Sequence, residues 1–211
     1  MSTHADQPLD RRARRKAQTR AKLVEAARTV FARQGIDATR INEITDEADV
    51  GFGSFYNHFD GKDAIVAAVI EELVHELGAS IDAATSTLQD PAEVVAVAHR
   101  VLVQAASADP ELGWLLVRLE LSHGLGTAGL GAYARRDLER GRDAGRFAVG
   151  DVELALAASG GALLGVIRAA LDGRLGDRAP EEHAAAVLRL LGVPADEAAD
   201  VAQRPLPAIS P

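Results

Sequence analysis

The sequence predicts an all-α protein with a domain of short helices near the N-terminus and a larger helical domain after it. Hydrophobic residues make up 47% of the 211 residues but aromatic residues only 4%, so alanine, leucine and valine must fill the interior. That composition favours helices. Apolar residues also recur at helical spacing between proline and glycine signals along most of the chain. The length allows one or two domains with a sizeable core.

The N-terminal third contains two short predicted helices joined by a tight turn. The first has one apolar face, because its apolar residues recur at i, i+3 and i+7: Ile41, Ile44 and Ala48. The hydroxyl of Thr39 is expected to cap this helix. Asp49 and Gly51 tolerate the positive φ that a tight turn needs, and the second helix is predicted over Phe52–Phe59. This pattern is a helix-turn-helix, whose second helix can enter a DNA major groove.

The order, spacing and type of residues over positions 19–65 are typical of one family of DNA-binding domains. The matching residues are Arg20, Ala26, Ala27, Phe31, Gly35, Thr39, Ile41, Ile44, Ala48, Val50, Gly53, Ser54, Phe55, Tyr56, His58, Phe59 and Lys62. The central run VGFGSFYNHF is similar to the family pattern Val-Ser-x-Gly-Thr-Leu-Tyr-x-His-Phe. The segment resembles the DNA-binding domain of the tetracycline-repressor (TetR) family of transcription regulators. It departs from the family at Thr45, Asp49 and Gly51, where Ala, Gly and Ser are usual.

The resemblance implies that the second short helix and its surroundings contact DNA. In the family, the position of Tyr56 contacts a phosphate, and those of His58 and Lys62 lie beside the DNA backbone. The alternative for Tyr56 is a ring that only packs at the edge of the core. An asparagine amide can pair with adenine and a phenyl ring can meet a thymine methyl group. Base reading is therefore expected from Arg40, Phe52, Gly53, Ser54 and Asn57, and Thr39 completes the predicted contact set.

A basic segment precedes the helix-turn-helix, with seven Lys/Arg and no acidic residue over positions 11–22. Considered without its context, such a run indicates a solvated helix start as readily as a DNA-contacting arm. Its position favours an arm that contacts phosphates or the minor groove. The predicted contacts are Arg11, Arg12, Arg14 and Arg15. The net charge of −8 divides into +6 over residues 1–40, −5 over 41–63 and −9 over 64–211, so the local field at the N-terminus still suits DNA.

Four segments are expected along the chain. They are a flexible basic arm over residues 1–15, the DNA-binding domain over 16–62, a ligand-binding and dimerisation domain over 63–194, and a disordered tail over 195–211. The first long helix is predicted over Ala17–Gln34, ended by Gly35. A helix that begins after Gly61 continues its apolar stripe past the first domain, so it is expected to link the two domains mechanically.

The longest apolar helix, predicted over residues 152–171, contains three costly internal glycines. Small residues one turn apart let another helix approach closely, and in the family the last two helices of each subunit form a four-helix dimer interface. The predicted interface residues are Gly160, Gly161, Leu164, Gly165, Arg168, Val187, Leu188 and Leu191. Close packing within one subunit is the alternative. Glu153 and Arg168 argue against a membrane span.

A ligand cavity is expected in the second domain, near the only tryptophan. Trp114 and Arg118 lie at i and i+4, so a ring and a cation can face one space, where Arg118 could hold an acidic head of an otherwise apolar ligand. A buried tryptophan with a solvated arginine is the alternative. The predicted lining is Leu102, Trp114, Arg118, Leu119, Ser159 and Leu163. His75, His99 and His183 lack metal-ligand spacing and are expected to be ordinary surface residues of helices.

These features predict a cytoplasmic homodimer that binds double-stranded operator DNA and represses transcription until a small, largely apolar effector binds. The alternative is a constitutive dimeric DNA-binding protein without a ligand. No cofactor or metal is expected, and the sequence has no cysteine, P-loop, nucleophile elbow or paired-carboxylate pattern that would indicate an enzyme. No apolar run reaches the ~20 residues of a membrane span without charges, so no membrane partner is expected.

Overall fold

The computed structural model of the protein describes residues 11–110, 112–114, 116–117 and 130–208. Throughout these ranges the regular structure is helical, which confirms the predicted all-α class. The helices with defined bounds are α1 (Arg11–Gln34), α2 (Ile41–Glu47), α3 (Phe52–Phe55), α4 (Lys62–Thr85), α5 (Pro91–Ala108), α6 (Leu130–Asp143), α7 (Val152–Leu171), α8 (Ala179–Leu190) and α9 (Ala195–Ala202).

The chain divides into two compact units between Glu72 and Leu73, inside α4. The sequence placed the domain boundary after residue 62, at the start of this helix. In the first unit, α1 packs on α2, and α2 packs on α3. Their core consists of fully buried aliphatic and aromatic side chains, including Leu23, Val30, Ile44, Phe55 and Ile65.

Helix α1 begins at Arg11, six residues before the predicted start at Ala17. The supposedly flexible arm is therefore helical from Arg11 onward. Arginine, alanine and lysine are all good helix formers, and they fill this segment. The helix ends as predicted at Gly35, which has φ +79° and donates its N–H to the carbonyl of Phe31 at 2.8 Å.

The predicted cap of α2 by Thr39 is wrong. Thr39 is buried, and its hydroxyl donates to the carbonyl of Gly35 at 2.7 Å, so it closes the end of α1. The residue before α2 is Arg40, whose backbone N–H donates to the carboxylate of Glu43 at 2.7 Å. That bond is the reciprocal half of a capping box, in which an acid three residues into the helix reaches back to the cap.

The turn between α2 and α3 depends on Asp49, which has φ 52° and is the only described non-glycine residue with positive φ. Gly51 instead has φ −64° and precedes α3 in an extended conformation. Helix α3 is shorter than predicted, because it ends at Phe55 rather than Phe59. The N–H groups of Asn57 and His58 bond three residues back, to Ser54 and Phe55, which tightens the chain into turns after the helix.

In the second unit, α5 packs along α8, and both pack against α7. The core between them is almost entirely alanine, valine and leucine, as the composition predicted. The segment predicted as a disordered tail contains α9, whose residues Ala198, Val201 and Ala202 are buried at helical spacing. Pro194 occupies the cap position just before α9.

Polar contacts fix the end of α9 to α5 and α8. The carbonyl of Arg204 accepts from the guanidinium of the buried Arg100 at 2.6 Å, and Arg100 also pairs with Glu181 at 3.0 Å. Arg204 in turn pairs with Glu93 at 2.7 Å. The C-terminal segment up to Arg204 is therefore part of the folded unit.

Candidate nucleic-acid interface and ligand cavity

The outer side of α3 exposes large side chains above a rigid base. Phe52 and Tyr56 are 52% and 51% exposed, and their rings meet edge to face at 5.5 Å. Beneath them, the buried ring of Phe55 contacts Tyr56 at 5.3 Å. Asn57 and Gly53 are also exposed, and a methyl group built on Gly53 would meet no atom within 4 Å. This surface thus exposes an aromatic ring, a phenol and an amide. The open space at Gly53 would let DNA approach the backbone of α3 closely.

The other predicted DNA-binding residues differ in their exposure. The guanidiniums of Arg11, Arg12, Arg14 and Arg15 lie on exposed positions at the start of α1, and Arg40 is exposed before α2. Ser54 is partly exposed. Lys62 is also partly exposed, and its Nζ donates to the carbonyl of Asp37 at 3.2 Å. Thr39 is only 3% exposed and is already hydrogen-bonded, so its assignment as a DNA-contacting side chain is corrected.

His58 lies partly buried beside the basic side of α1. Burial lowers its pKa, and the nearby cations of Lys16 and Arg20 lower it further. Its Nδ1 is buried and has no partner among the described residues. At neutral pH the ring is therefore uncharged in the protein without DNA.

The second unit encloses a cavity of about 330 Å³ between α4, α5, α6 and α7. Its described lining is Gly78, Ile81, Asp82, Ala98, His99, Leu102, Leu130, Gly131, Tyr133, Ala134, Asp137, Glu153, Leu156, Ala157, Ser159, Gly160 and Leu163. Of the predicted lining residues, Leu102, Ser159 and Leu163 are in this set and Trp114 is not. Arg118 and Leu119 lie outside the described residues.

The charged groups on the described cavity wall are carboxylates, and no lysine or arginine is among its lining residues. Each carboxylate has a guanidinium partner. Arg136 pairs with Asp82 at 2.5 Å and with Asp137 at 2.8 Å, and Arg135 holds Glu153 through bonds of 2.7 and 2.9 Å. Burial raises the pKa of Asp137 despite Arg136, whereas the bond to Arg135 lowers the pKa of Glu153. Remaining lone pairs on these oxygens suit a ligand that donates hydrogen bonds.

Two histidines meet at the wall formed by α5. Nδ1 of His99 lies 3.0 Å from Nε2 of His183 on α8, and His183 is only 5% exposed. His183 is therefore not the surface residue that was expected, and His99 is half-buried on the cavity wall. Burial lowers the pKa of His99 to about 3, with a further contribution from the neighbouring imidazole, and lowers that of His183 to about 4. Both rings are neutral at physiological pH.

This pair should make the second unit less stable in acid. A free histidine has a pKa of about 6.5, so below that pH the unfolded chain binds protons that the folded chain does not, and the free energy of unfolding falls from pH 6.5 towards 4. His183 alone should cost roughly 2 kcal/mol at pH 5. We expect urea unfolding to show a smaller loss between pH 7 and pH 5 in His99→Leu/His183→Leu than in the wild type. An equal loss in both proteins would contradict the neutral pair.

The predicted interface residues fall into two groups. Gly161, Gly165 and Arg168 are exposed on α7, and a methyl group built on any of the three α7 glycines would meet no atom within 4 Å. Close packing of these glycines within the subunit is therefore excluded for the described residues. Gly160 also lines the cavity. Leu164 is at the margin of burial, whereas Val187, Leu188 and Leu191 are at most 1% exposed in the subunit's own core.

The assignment of those last three residues to a dimer interface is corrected. They lie on the buried side of α8 or at its end, whereas the exposed residues of this helix are Glu182, Ala186, Arg189 and Leu190. Its outward side carries Ala186 and Leu190, which is 48% exposed, and α7 adds Leu154, which is 68% exposed. Helix α7 is long and apolar enough to cross a membrane by length and composition, with 28% of its most apolar window buried. One such helix is weak support for a span.

Several cavity residues were not predicted from the sequence, namely Asp82, His99, Tyr133, Asp137 and Glu153. Tyr133 and Asp137 lie at i and i+4 on α6, which is a signal for a shared face. The two histidines are 84 positions apart, so no spacing rule connects them. No group of three or more His, Cys, Asp or Glu side chains that could hold a metal occurs in the described parts of the chain.

An exposed α3 above a helical scaffold, together with a second helical unit that contains a cavity, defines a helix-turn-helix regulator. Comparison with known families agrees with this class. The family described as "Bacterial regulatory proteins, tetR family" matches residues 23–69, and "Tetracyclin repressor-like, C-terminal domain" matches residues 90–204. The chain belongs to the TetR family, and it is a DNA-binding transcriptional regulator. The family is one of regulators rather than enzymes.

Solved structures extend the similarity over nearly the whole chain. The crystal structure of RolR in complex with resorcinol is 38% identical, with a TM-score of 0.83 over 94% of this chain and 100% of that one. RolR without ligand is 39% identical, with a TM-score of 0.80 over 90% of this chain and 100% of that one.

Curated relatives match over a shorter region. The repressor DhaR of Mycobacterium sp. (strain GP1) is 39% identical over 71 residues, which are 34% of each chain. The repressor KstR2 of Rhodococcus jostii (strain RHA1) is 36% identical over 62 residues, which are 29% of this chain and 30% of that one. The chain therefore spans about a third of the length of these repressors.

Proposed function

We propose that the protein is a cytoplasmic, homodimeric repressor that binds operator DNA through α2 and α3 and releases it when a small effector enters the cavity of the second unit. The observation that carries this proposal is the presence, in one chain, of an exposed α3 and of a cavity with convergent polar groups. The similarity to RolR over nearly the whole chain supports it. Such a cavity is the default binding site of an otherwise close-packed unit.

For DNA, we assign base contacts to the exposed side of α3 and phosphate contacts to the cations around it. Phe52 and Asn57 project from the part of the chain that would enter the groove, where a ring can meet a thymine methyl group and an amide can pair with adenine. The phenol of Tyr56 and the basic start of α1 suit the backbone. Phosphate contacts position the protein without reading sequence.

For dimerisation, we propose a two-fold interface built from exposed apolar residues of α7 and α8. Its members are Leu154, Ala158, Gly161, Ala162, Gly165, Ala186 and Leu190. An apolar helix with three glycines that touch nothing in their own subunit is expensive in helix propensity. A partner helix that approaches closely over Gly161 and Gly165 would give these glycines the contact that they lack within the subunit.

For the effector, we propose a small, neutral ring that carries hydroxyl groups. The cavity volume lies near the lower end of the roughly 300–1,000 Å³ usual for ligand sites. Most of its lining is aliphatic or small, while Asp82, Asp137 and Glu153 supply hydrogen-bond acceptors. These carboxylates disfavour the acidic head that the sequence suggested for the ligand. RolR, whose structure contains resorcinol, supports a hydroxylated ring by similarity.

Release would follow from differential binding to two conformations of the second unit. Helix α4 runs from Lys62 to Thr85 and lines the cavity with Gly78, Ile81 and Asp82. A ligand changes operator affinity only to the extent that it prefers one conformation over the other. We infer that the preferred arrangement of α4 in the liganded dimer no longer holds both recognition helices in register with two half-sites.

The effector proposal is tested by measuring operator affinity with resorcinol as the probe. Duplexes selected from random DNA supply the operator, and fluorescence anisotropy supplies the affinity. We expect resorcinol to weaken operator binding about 5- to 150-fold, the usual range of allosteric coupling. Benzoate has the same ring with a carboxylate, and should have no effect at equal concentration. If no hydroxylated ring changes the affinity, the constitutive dimeric DNA-binding protein becomes the better interpretation.

A further inference from the structure

Two paired histidines at the cavity wall can either donate or accept hydrogen bonds, whereas ionised carboxylates can only accept. His99 lines the cavity from α5, while His183 lies behind it on α8 and is not part of the lining. Nδ1 of His99 and Nε2 of His183 lie 3.0 Å apart, within hydrogen-bonding distance. Nε2 is the ring nitrogen of His99 that this bond leaves over, on a residue that lines the cavity. The pair therefore joins the cavity wall to the core between α5 and α8.

A hydrogen bond between two imidazole nitrogens requires one proton between them, and two neutral rings can supply it in two ways. In the first state, Nδ1–H of His99 donates to His183, so Nε2 of His99 presents a lone pair. In the second state, Nε2–H of His183 donates to His99, so Nε2 of His99 carries the proton of its ring. Each ring keeps one proton in both states, and exchange with water moves it between the two nitrogens without a change in charge.

We propose that His99 is an effector-contacting group of the cavity that can either accept or donate, and that His183 is the positioning residue that fixes its tautomer. This inference rests on the proposed function. A ligand hydroxyl that donates to Nε2 of His99 selects the first state, whereas a ligand ether or carbonyl oxygen at the same place selects the second. Asp82, Asp137 and Glu153 can only accept while ionised, whereas His99, like the hydroxyls of Tyr133 and Ser159 in the same lining, admits either kind of oxygen.

Energetics favour a role for the pair beyond filling the core. Two buried imidazoles lose hydration and regain one shared hydrogen bond, whereas two apolar side chains of similar size would fill the same space at little or no cost. The neutral state that burial imposes on both rings is the state that allows the two tautomers. A purely structural pair would need no access to the cavity, but His99 has it.

The tautomers can be observed directly by ¹⁵N NMR of the histidine-labelled, full-length dimer with two probes that share a 1,3-dioxygenated benzene ring. Resorcinol can donate two hydrogen bonds, and 1,3-dimethoxybenzene can only accept. We expect Nε2 of His99 to show the shift of an unprotonated nitrogen with saturating resorcinol and that of an N–H nitrogen with the dimethyl ether. Identical ring shifts in both complexes would overturn the inference.

Variants separate the positioning role from packing. His183→Leu leaves Nδ1 of His99 without its partner, and we expect it to weaken resorcinol binding about tenfold by calorimetry, while His183→Gln, which can donate or accept, restores most of it. Glu182→Gln, an exposed change one residue away, is the control and should bind like the wild type. His99→Leu/His183→Leu keeps an apolar core, and its melting transition shows whether the fold survives. This double variant should bind resorcinol as weakly as His183→Leu.

The outcomes distinguish this inference from the proposed function. If resorcinol binds and releases the operator but these variants bind it like the wild type and the shifts do not move, the histidine inference fails and the effector model stands. If neither probe binds the wild-type cavity, the effector model fails and the inference fails with it.

Discussion

Replacing Gly161 by leucine is expected to convert the dimer into a folded monomer. Within the subunit the new side chain has room, because a methyl group at this position meets no atom within 4 Å. Removing a glycine from a helix interior should even stabilise the subunit by up to about 1 kcal/mol. In a two-fold interface the residue occurs twice, and overpacking costs about 1–3 kcal/mol at each copy. The dimer should therefore dissociate at least about thirtyfold more readily.

Sedimentation at micromolar concentration measures this result, and thermal unfolding checks the subunit. Ala132→Leu is the matched control, since it adds a leucine at an exposed position of α6, outside the proposed interface. Operator affinity should fall together with dimerisation, because two half-sites are then bound by separate chains. A dimer of unchanged stability would show that the exposed sides of α7 and α8 do not form the interface.

Removing the four arginines at the start of α1 is expected to produce the second large effect. In Arg11→Ala/Arg12→Ala/Arg14→Ala/Arg15→Ala, the slope of log affinity against log salt should flatten by about 0.9 for each arginine that contacts a phosphate. Affinity for operator and for random DNA should fall by a similar factor, since phosphate contacts carry no sequence information.

The position of these arginines makes the experiment informative. Four cations at the N-terminus of a helix oppose its dipole, and the first turn of α1 has no acidic residue to compensate. If they had no partner, their removal would only stabilise the helix. Arg142→Ala/Arg174→Ala removes positive charge from exposed positions of the second unit and should leave the salt slope unchanged. An unchanged slope in the α1 variant would show that this segment does not contact DNA.

The helix-turn-helix could be predicted from the sequence because its determinants are local. Asp49 has the positive φ that the turn needs, Gly35 ends α1, and Phe55 forms the base of the recognition surface. The errors arose where tertiary contacts decide between local options. A threonine before a helix is a typical cap, but the hydroxyl of Thr39 bonds backwards to Gly35 instead.

The second unit was less predictable because its elements are similar apolar helices. Which side of α8 faces the core depends on α5 and α7, so Val187 and Leu188 were assigned to the wrong surface. The cavity depends on polar residues from four helices, whereas the chain's only tryptophan, Trp114, is not part of its described lining. Helix α9 was missed because the prolines around it are typical of disorder, although Ala198, Val201 and Ala202 already have helical spacing.

The anchoring of α9 limits how the chain can be extended for use as a biosensor. The carbonyl of Arg204 accepts from the buried Arg100, so the backbone must follow its native course at least to that residue. A reporter domain joined before Arg204 would replace the residue whose carbonyl the buried guanidinium uses, and losing that acceptor costs more than losing a surface contact. A reporter joined after Ala208 leaves that bond intact, and Pro205 and Pro207 would act as a stiff spacer between the two proteins.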